Sequence, residues 1–335
     1  MYPTPQFIIY IFPLSLRQEA IPLEGPKMSR SGKSPEDTKH PRGMKRTRSG
    51  TDIAPFVEDY RPYTSGILQR YLLHKHQDDH KTHWDFYYKQ NTVNGYKDRH
   101  YILREFVELG AAIKKAESSK GEGDQFSWME AGCGVGNAFL PIFSEYGHLP
   151  EWEHMLGFDI SSVAVGLLEK KIDALDNKCL QQKVKLIPLD PCEVEVHTSP
   201  LFKEVEPVQF VSMVFVLCSI PVEKHELVLR RVAACMKKGG VFFFRDYAVS
   251  DHAEERFRNR KESNPLAAVK SDNNTFTRTN GTLSHFFSVE EVTALFTKVG
   301  FEVVQVGEVE REVQNTKLNL NLERKFVQGR FVLKE

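Results

Sequence analysis

Three glycines at alternate positions, Gly132, Gly134 and Gly136, stand in the run Met129-Glu-Ala-Gly-Cys-Gly-Val-Gly-Asn137. The apolar run Phe126 to Met129 precedes them, and the apolar stretch Ala138 to Phe143 follows. That order predicts a strand, a tight turn and a helix. Glycine is required where backbone must approach a ligand or take positive φ, because no Cβ intrudes. Two nucleotide loops are excluded by the spacing. A G-x-G-x-x-G loop needs glycine at 137 or 139, where Asn137 and Phe139 stand, and no Gly-Lys-Ser/Thr follows to make a P-loop.

The chain of 335 residues, 41% apolar with 23 phenylalanines, suffices for a sizeable α/β core with additions. Lysine plus arginine and aspartate plus glutamate each number 45, so any contact with nucleic acid must rest on local patches. Five widely spaced cysteines (133, 179, 192, 218 and 235) contain no C-x-x-C pair. They read as free thiols of a reducing compartment, the cytoplasm with the nucleus as a further candidate, not as a disulfide framework. No run approaches the roughly 18 apolar residues of a membrane span. Phe7 to Leu16 is shorter, is interrupted by Pro13 and lacks the flanks of a signal peptide. Residues 1–27 therefore read as a disordered extension, or as sequence upstream of a start at Met28. His76 and His80 share a helical face, but the segment is polar and has no cysteine near it, so no metal is expected.

Residues 1–55 are poor in periodic apolar positions. Arg30, Lys33, Lys39, Arg42, Lys45, Arg46 and Arg48 face only Glu36 and Asp37 there, which reads as a disordered basic tail. Such a tail serves as a polyanion contact or nuclear signal, or is merely solvated. Residues 56–120 are aromatic and mostly helical in period, an N-terminal helical extension. From 121 to 335 strand-like and helix-like segments alternate. Strands are expected at Phe126–Met129, Met155–Phe158, Val184–Leu189, Val208–Val216, Gly240–Arg245, Glu302–Val309 and Lys325–Leu333. Helices are expected at Asn137–Glu145, Ser162–Leu175, Val222–Met236 and Val289–Val299. This alternation predicts a doubly wound, mainly parallel seven-stranded sheet, closed by a hairpin that makes an antiparallel edge.

The pattern Glu130-x-Gly-x-Gly-x-Gly136 resembles the first motif of class I methyltransferases, which cradle S-adenosylmethionine. In open parallel sheets ligands bind outside the carboxyl ends of the strands. Asp159 closes one expected strand, where an acid accepts hydrogen bonds from both ribose hydroxyls. Asp190 closes the next and suits an adenine amino group, and Asp246 closes Val241-Phe-Phe-Phe-Arg-Asp246. Val214 begins an apolar run whose carboxyl end is expected beside the transferable methyl. Trp84 and Tyr88, at i and i+4, present one helical face that can close over an adenine or a cationic sulfonium.

Four blocks together resemble the tRNA N(3)-methylcytidine methyltransferases: Trp84-Asp-Phe-Tyr-Tyr-Lys-Gln-Asn91, Lys97-Asp-Arg-His-Tyr-Ile-Leu-Arg-Glu-Phe106, Glu130-Ala-Gly-Cys-Gly-Val-Gly-Asn137 and Phe244-Arg-Asp-Tyr247. Asn280-Gly-Thr-Leu-Ser-His-Phe-Phe287 is similar to the family's D-G-T-R-x-Y-F-F, and Arg311-Glu-Val-Gln-Asn315 to its R-E-T-V-N. The resemblance covers about residues 60–335. It implies methylation of N3 of a cytosine in the tRNA anticodon loop, at position 32, and seryl-tRNA synthetase as a candidate partner. Carried over by motif, the cofactor positions are Trp84, Tyr88, Gly132, Asp159, Asp190, Pro191 and Val214, with Gly134 and Gly136 in the same loop. Asp246, and second Asp98, is expected to stabilise the cationic product base. Lys97, Arg99, Arg104 and Arg245 are expected to hold phosphates, and His100, Tyr96 and Tyr247 to stack on the base. Departures are Pro191 for a usual leucine, Ala248 for a glycine, Pro221 for a histidine, and Asn280 and Leu283 for the loop's Asp and Arg. A methyltransferase of proteins or small molecules, and a non-catalytic adaptor binding RNA or a synthetase, are the competing readings.

Overall fold

A computed structural model describes residues 79–175, 181–259, 274–278, 280–315 and 320–334. The basic tail 1–55, the first part of the helical extension, His76 and Cys179 lie outside the described residues. Helices α1 (His80–Asn91), α2 (Ile102–Glu105) and α3 (Val107–Ser119) lead into strand β1 (Phe126–Ala131). Then follow α4 (Phe139–Tyr146), β2 (Trp152–Asp159), α5 (Ser162–Asp173), β3 (Val184–Pro188), β4 (Val208–Val214), α6 (His225–Ala233) and β5 (Met236–Tyr247). The chain closes with α7 (His252–Asn259), β6 (Thr275–Thr277), β7 (Leu283–His285), α8 (Val289–Val299), β8 (Phe301–Asn315) and β9 (Leu320–Leu333).

The main sheet has seven strands in the order β3-β2-β1-β4-β5-β9-β8. Strands β1 to β5 are mutually parallel. Within the closing hairpin β9 runs antiparallel to β5, and β8 lies outside it as the edge. The hairpin outruns the sheet. Pairing of β5 with β9 stops at Tyr247↔Phe326, while β8 and β9 remain paired as far as Asn315↔Leu320. A separate two-stranded ribbon, β6–β7, was not expected, because three residues per strand leave no readable alternation.

Both faces of the central strands are buried, and consecutive side chains divide between them. In Val241-Phe-Phe-Phe-Arg245 the ring of Phe243 stacks on Phe106 at 4.6 Å on one face. Phe242 and Phe244 meet Phe296 at 5.1 and 5.4 Å on the other. Every residue of β1 is buried, as a central strand covered on both sides requires. Local chemistry sets the helix ends. The Ser161 hydroxyl accepts from Ala164 N at 3.2 Å to cap α5, and Ser288 accepts from Glu291 N to cap α8. Gly300, at φ 109°, ends α8 in the left-handed region.

After β3 the chain crosses back to lay β4 beside β1, on the side away from β2, so strand order reverses between β1 and β4. A crevice opens there at the carboxyl ends of the strands. Replacing the fully buried Phe243 with alanine is expected to lower unfolding free energy by about 3–5 kcal/mol, measured by urea denaturation.

Candidate active site

The crevice is a cleft of about 770 Å3, counting its open mouth. Its floor is the glycine loop. Gly132 and Cys133 both donate to Phe158 O, at 2.8 and 2.9 Å, which ties the turn after β1 to the end of β2. Gly132 has φ 72°, and a Cβ there would run into the Val216 side chain. A Cβ on Gly134 would stand 2.7 Å from the Tyr88 hydroxyl. The loop is thus pressed between β4's exit and α1, leaving no room for a side chain. Gly136 does not line the cleft. A Cβ on it would meet Leu168 of α5, so its glycine serves packing.

Asp159 binds this loop. Its Oδ2 accepts from Gly134 N and its Oδ1 from Ser161 N, both at 2.9 Å. The carboxylate lines the cleft with acceptor capacity left on both oxygens. Burial pushes its pKa up to about 6, against the two amide donors. Asp190, after β3, accepts from Cys192 N at 2.8 Å and lines the next stretch of wall with Pro191 and Cys192. Proline at 191 removes a backbone donor, so Asp190 and the partly buried Cys192 are left to mark that end. His80 enters the wall here. It is buried, its Nδ1 has no partner, and burial lowers its pKa to about 4, so it faces Asp190 as a neutral imidazole.

Helix α1 closes the cleft. Trp84 and Tyr88 are buried against one another at 5.9 Å, and both line the wall. The helix is moored by Asp85, whose Oδ1 accepts from Ser161 Oγ at 2.6 Å and Val163 N at 3.3 Å. A carboxylate at the N-terminus of α5 is favourably placed against the helix dipole. Opposite, Val214 and Phe215 form the β4 wall, with Phe215 held at φ 59°.

Arg99, expected on a phosphate, is instead part of this wall. Its backbone donates to Asn137 O at 2.7 Å, and its Nη1 donates to Val214 O at 3.3 Å. The same guanidinium lies 3.9 Å from Glu130, whose pKa burial raises to about 8 although Arg99 opposes the shift. Arg245 is not placed for phosphate either. It is 3% exposed, donates to Gln328 Oε1 and lies over the rings of Tyr101 and Phe326 at 5.0 and 4.8 Å. Alternation along β5 sends it inward. Asp246, expected beside the methyl, is wholly buried and does not line the cleft. It accepts from Cys218 N and Tyr247 N, both at 2.9 Å, and so fixes the turn Leu217–Ser219 against β5. Asp98 is exposed and accepts from Asn137 Nδ2 at 3.2 Å. Lys97, His100 and Arg104 are exposed and do not line the cleft, whereas Tyr96 does. Tyr247 does not line the cleft itself, but its partly buried ring lies 5.0 Å from that of Phe215, which does.

These residues suit S-adenosylmethionine. A carboxylate with free lone pairs serves a ribose diol, two neighbouring aromatics, Trp84 and Tyr88, serve an adenine or a sulfonium, and Arg99 offers a cation to a carboxylate. The loop has no Cβ to obstruct it. Sequence reasoning passed over His80, Asn137, Phe215 and Ser219 as wall residues. Only Asn137 and Phe215, adjoining motif residues, carried a signal that would have found them.

A methyltransferase-domain family model matches residues 96–306. The tRNA N(3)-cytidine methyltransferase METTL6 of Mus musculus is 33% identical over 265 residues, 79% of this chain and 85% of that protein. The tRNA N(3)-methylcytidine methyltransferase trm141 of Schizosaccharomyces pombe is 32% identical, over 79% of this chain and 98% of its own length. A solved SAM-dependent methyltransferase from Anabaena variabilis shares the fold, with a TM-score of 0.50 and 14% identity over 76% of this chain and 95% of that one.

Cofactor affinity is expected to follow the ionisation of Asp159. Hydroxyls donating to the carboxylate favour its charged form and lower its raised pKa. Binding therefore releases a proton at low pH, and affinity is full above pH 6 and falls as pH drops through about 6. Asp159→Asn should flatten that dependence and weaken binding by about 3 kcal/mol, roughly a hundredfold, on losing charge-assisted bonds. Calorimetric titration at several pH values measures both.

Proposed function

Since the chain belongs to the tRNA N(3)-methylcytidine methyltransferases, we propose that it methylates N3 of a cytosine in the tRNA anticodon loop, at position 32. It is an S-adenosylmethionine-dependent enzyme. One observation carries the reading. Arg99, from the block Lys97–Phe106 that resembles the family, and the adjoining Tyr96 line the same cleft as the glycine loop and Asp159.

S-adenosylmethionine, when bound, supplies an electrophilic methyl group. N3 of neutral cytosine has a free lone pair, so no residue need remove a proton before attack. What remains for the protein is alignment and exclusion of water. Asp159 holds the ribose, Trp84 and Tyr88 cover the cofactor, and Val214 with Phe215 forms the wall along which the base approaches. In a duplex N3 is covered by pairing, so the target must be unpaired or flipped. Asp98, bonded to Asn137 of the cleft wall, takes the part of the carboxylate that favours the cationic product. Asp246 contributes by positioning the turn after β4. The exposed Lys97, His100 and Arg104, from the segment that supplies Arg99 to the cleft, meet the RNA.

The neutral net charge supports a need for help in tRNA selection, for which seryl-tRNA synthetase is our proposed partner. Free thiols at Cys133, Cys192, Cys218 and Cys235 support a reducing compartment, and we place the enzyme in the cytoplasm. The division into basic tail, helical extension and catalytic domain at about residues 55 and 120 belongs to the same proposal.

Incubating the full chain with labelled S-adenosylmethionine and total tRNA, with and without the synthetase, is expected to yield labelled 3-methylcytidine on nuclease digestion. Label in another nucleoside, or only in protein, overturns the assignment.

A further inference from the structure

The hairpin β6–β7 takes no part in the cofactor cleft, yet it delivers an arginine to its mouth. Arg278, directly after β6, is half-buried, and its Nε donates to Ser284 Oγ at 2.8 Å. Its guanidinium lies 5.8 Å from the Tyr247 ring centroid and has Tyr96, Tyr87 and Cys218 as electrostatic neighbours. Tyr87 and Tyr96 are 5.7 Å apart, and Phe215 lies 5.0 Å from Tyr247. Tyr96 and Phe215 line the cleft. Two ring pairs, Tyr87–Tyr96 and Phe215–Tyr247, thus lead from the cleft wall towards Arg278.

The hairpin is seated where this matters. Gly281 in its turn approaches α1 so closely that a Cβ would stand 2.7 Å from the His83 ring. Leu283 occupies the place where the family motif has arginine, and it is buried, so it offers the loop no charge.

Among the described residues Arg278 and Arg245 have no ion-paired carboxylate, but Arg245 is closed in between Gln328, Tyr101 and Phe326, whereas Arg278 is half-buried beside residues of the cleft wall. Arg324 pairs with Asp251 at 2.9 Å, Arg258 pairs with Glu254, and Arg99 has Val214 O and Glu130. Among the described residues no carboxylate pairs with Arg278. A partly desolvated guanidinium among neutral phenols is costly unless an anion completes it. Its planar fork fits phosphate in particular.

We propose that Arg278 anchors the phosphate of the target nucleotide, and that Tyr96, Phe215 and Tyr247 form the aromatic box into which its base turns. The proposal rests on the tRNA-cytosine reading above and deepens it. The division of labour follows from charge. The base becomes cationic as the N–CH3 bond forms and the S–CH3 bond breaks, with the sulfonium charge passing to the ring. Aromatic faces favour that cation, whereas a guanidinium against the ring would oppose it. Held at the phosphate, the guanidinium sets the base's position without facing its new charge.

The test compares Arg278→Gln and Arg278→Lys with the wild type in the full chain. Steady-state methylation of total tRNA is followed over a KCl series, alongside S-adenosylmethionine affinity. Arg278→Gln is expected to raise KM for tRNA about tenfold, to leave cofactor affinity unchanged and to reduce the salt slope of log(kcat/KM) by about 0.7–1, the share of one phosphate. Arg278→Lys keeps the charge and should keep the slope while losing part of the affinity. A wild-type KM and slope in Arg278→Gln would overturn the proposal, as would equal loss of slope in both variants or a parallel loss of cofactor affinity. If the wild type forms no 3-methylcytidine, the functional reading itself fails. Filter binding of total tRNA over the same salt series then still tests Arg278, and an unchanged slope in Arg278→Gln rejects it.

Discussion

Asp159 accepts one backbone hydrogen bond on each oxygen, from Gly134 on one side and Ser161 on the other. Through those two bonds a single carboxylate joins the turn after β1 to the end of β2 and the start of α5. Helix α1 is attached to the same place, because Ser161 also donates its hydroxyl to Asp85. Floor, wall and cover of the cleft therefore converge within a few residues of one buried charge. That charge is costly to bury, as its raised pKa shows, and the two amides offset only part of the penalty. A ligand with a diol to donate would complete the set.

Much of this was legible in the sequence. Gly132, Gly134, Asp159, Asp190 and Val214 come from short motifs at strand ends, and the parallel topology forces strand ends together whatever the remainder of the chain does. Trp84 and Tyr88 were legible because their i, i+4 spacing puts them on one helical face. Side-chain direction at a given position was not. Arg245 and Asp246 are adjacent on β5, and the motif suggested that both reach substrate. The strand is covered on both faces, so neither neighbour is delivered to solvent. Arg99 sits in a stretch rich in positive charge that reads as a phosphate surface, yet the loop after α1 folds it inward onto Val214. The ribbon β6–β7 is too short to leave a period, and α7 (His252-Ala-Glu-Glu-Arg-Phe-Arg-Asn259) has too few apolar residues to show one, so Arg278 escaped notice with them.

The departure at Pro191 has a visible structural setting. The residue is buried, its carbonyl accepts from Arg231 Nη1 at 3.0 Å, and Cys192 supplies the amide that Asp190 binds. The loop after β3 is thus held without the donor that proline lacks. That end of the cleft is held in place while offering one backbone donor fewer.

Helix α1 places Trp84 and Tyr88 on the cofactor side and Tyr87, between them, on the ring group that leads to Arg278. One helix is therefore a wall of two adjoining compartments. If the target nucleotide seats as proposed, ordering of that helix by one ligand would favour the other, and the linkage would be mutual. A nucleotide held against Tyr96 and Phe215, which line the cleft, would also stand in the way of cofactor exchange, a demand that one shared wall places on both ligands.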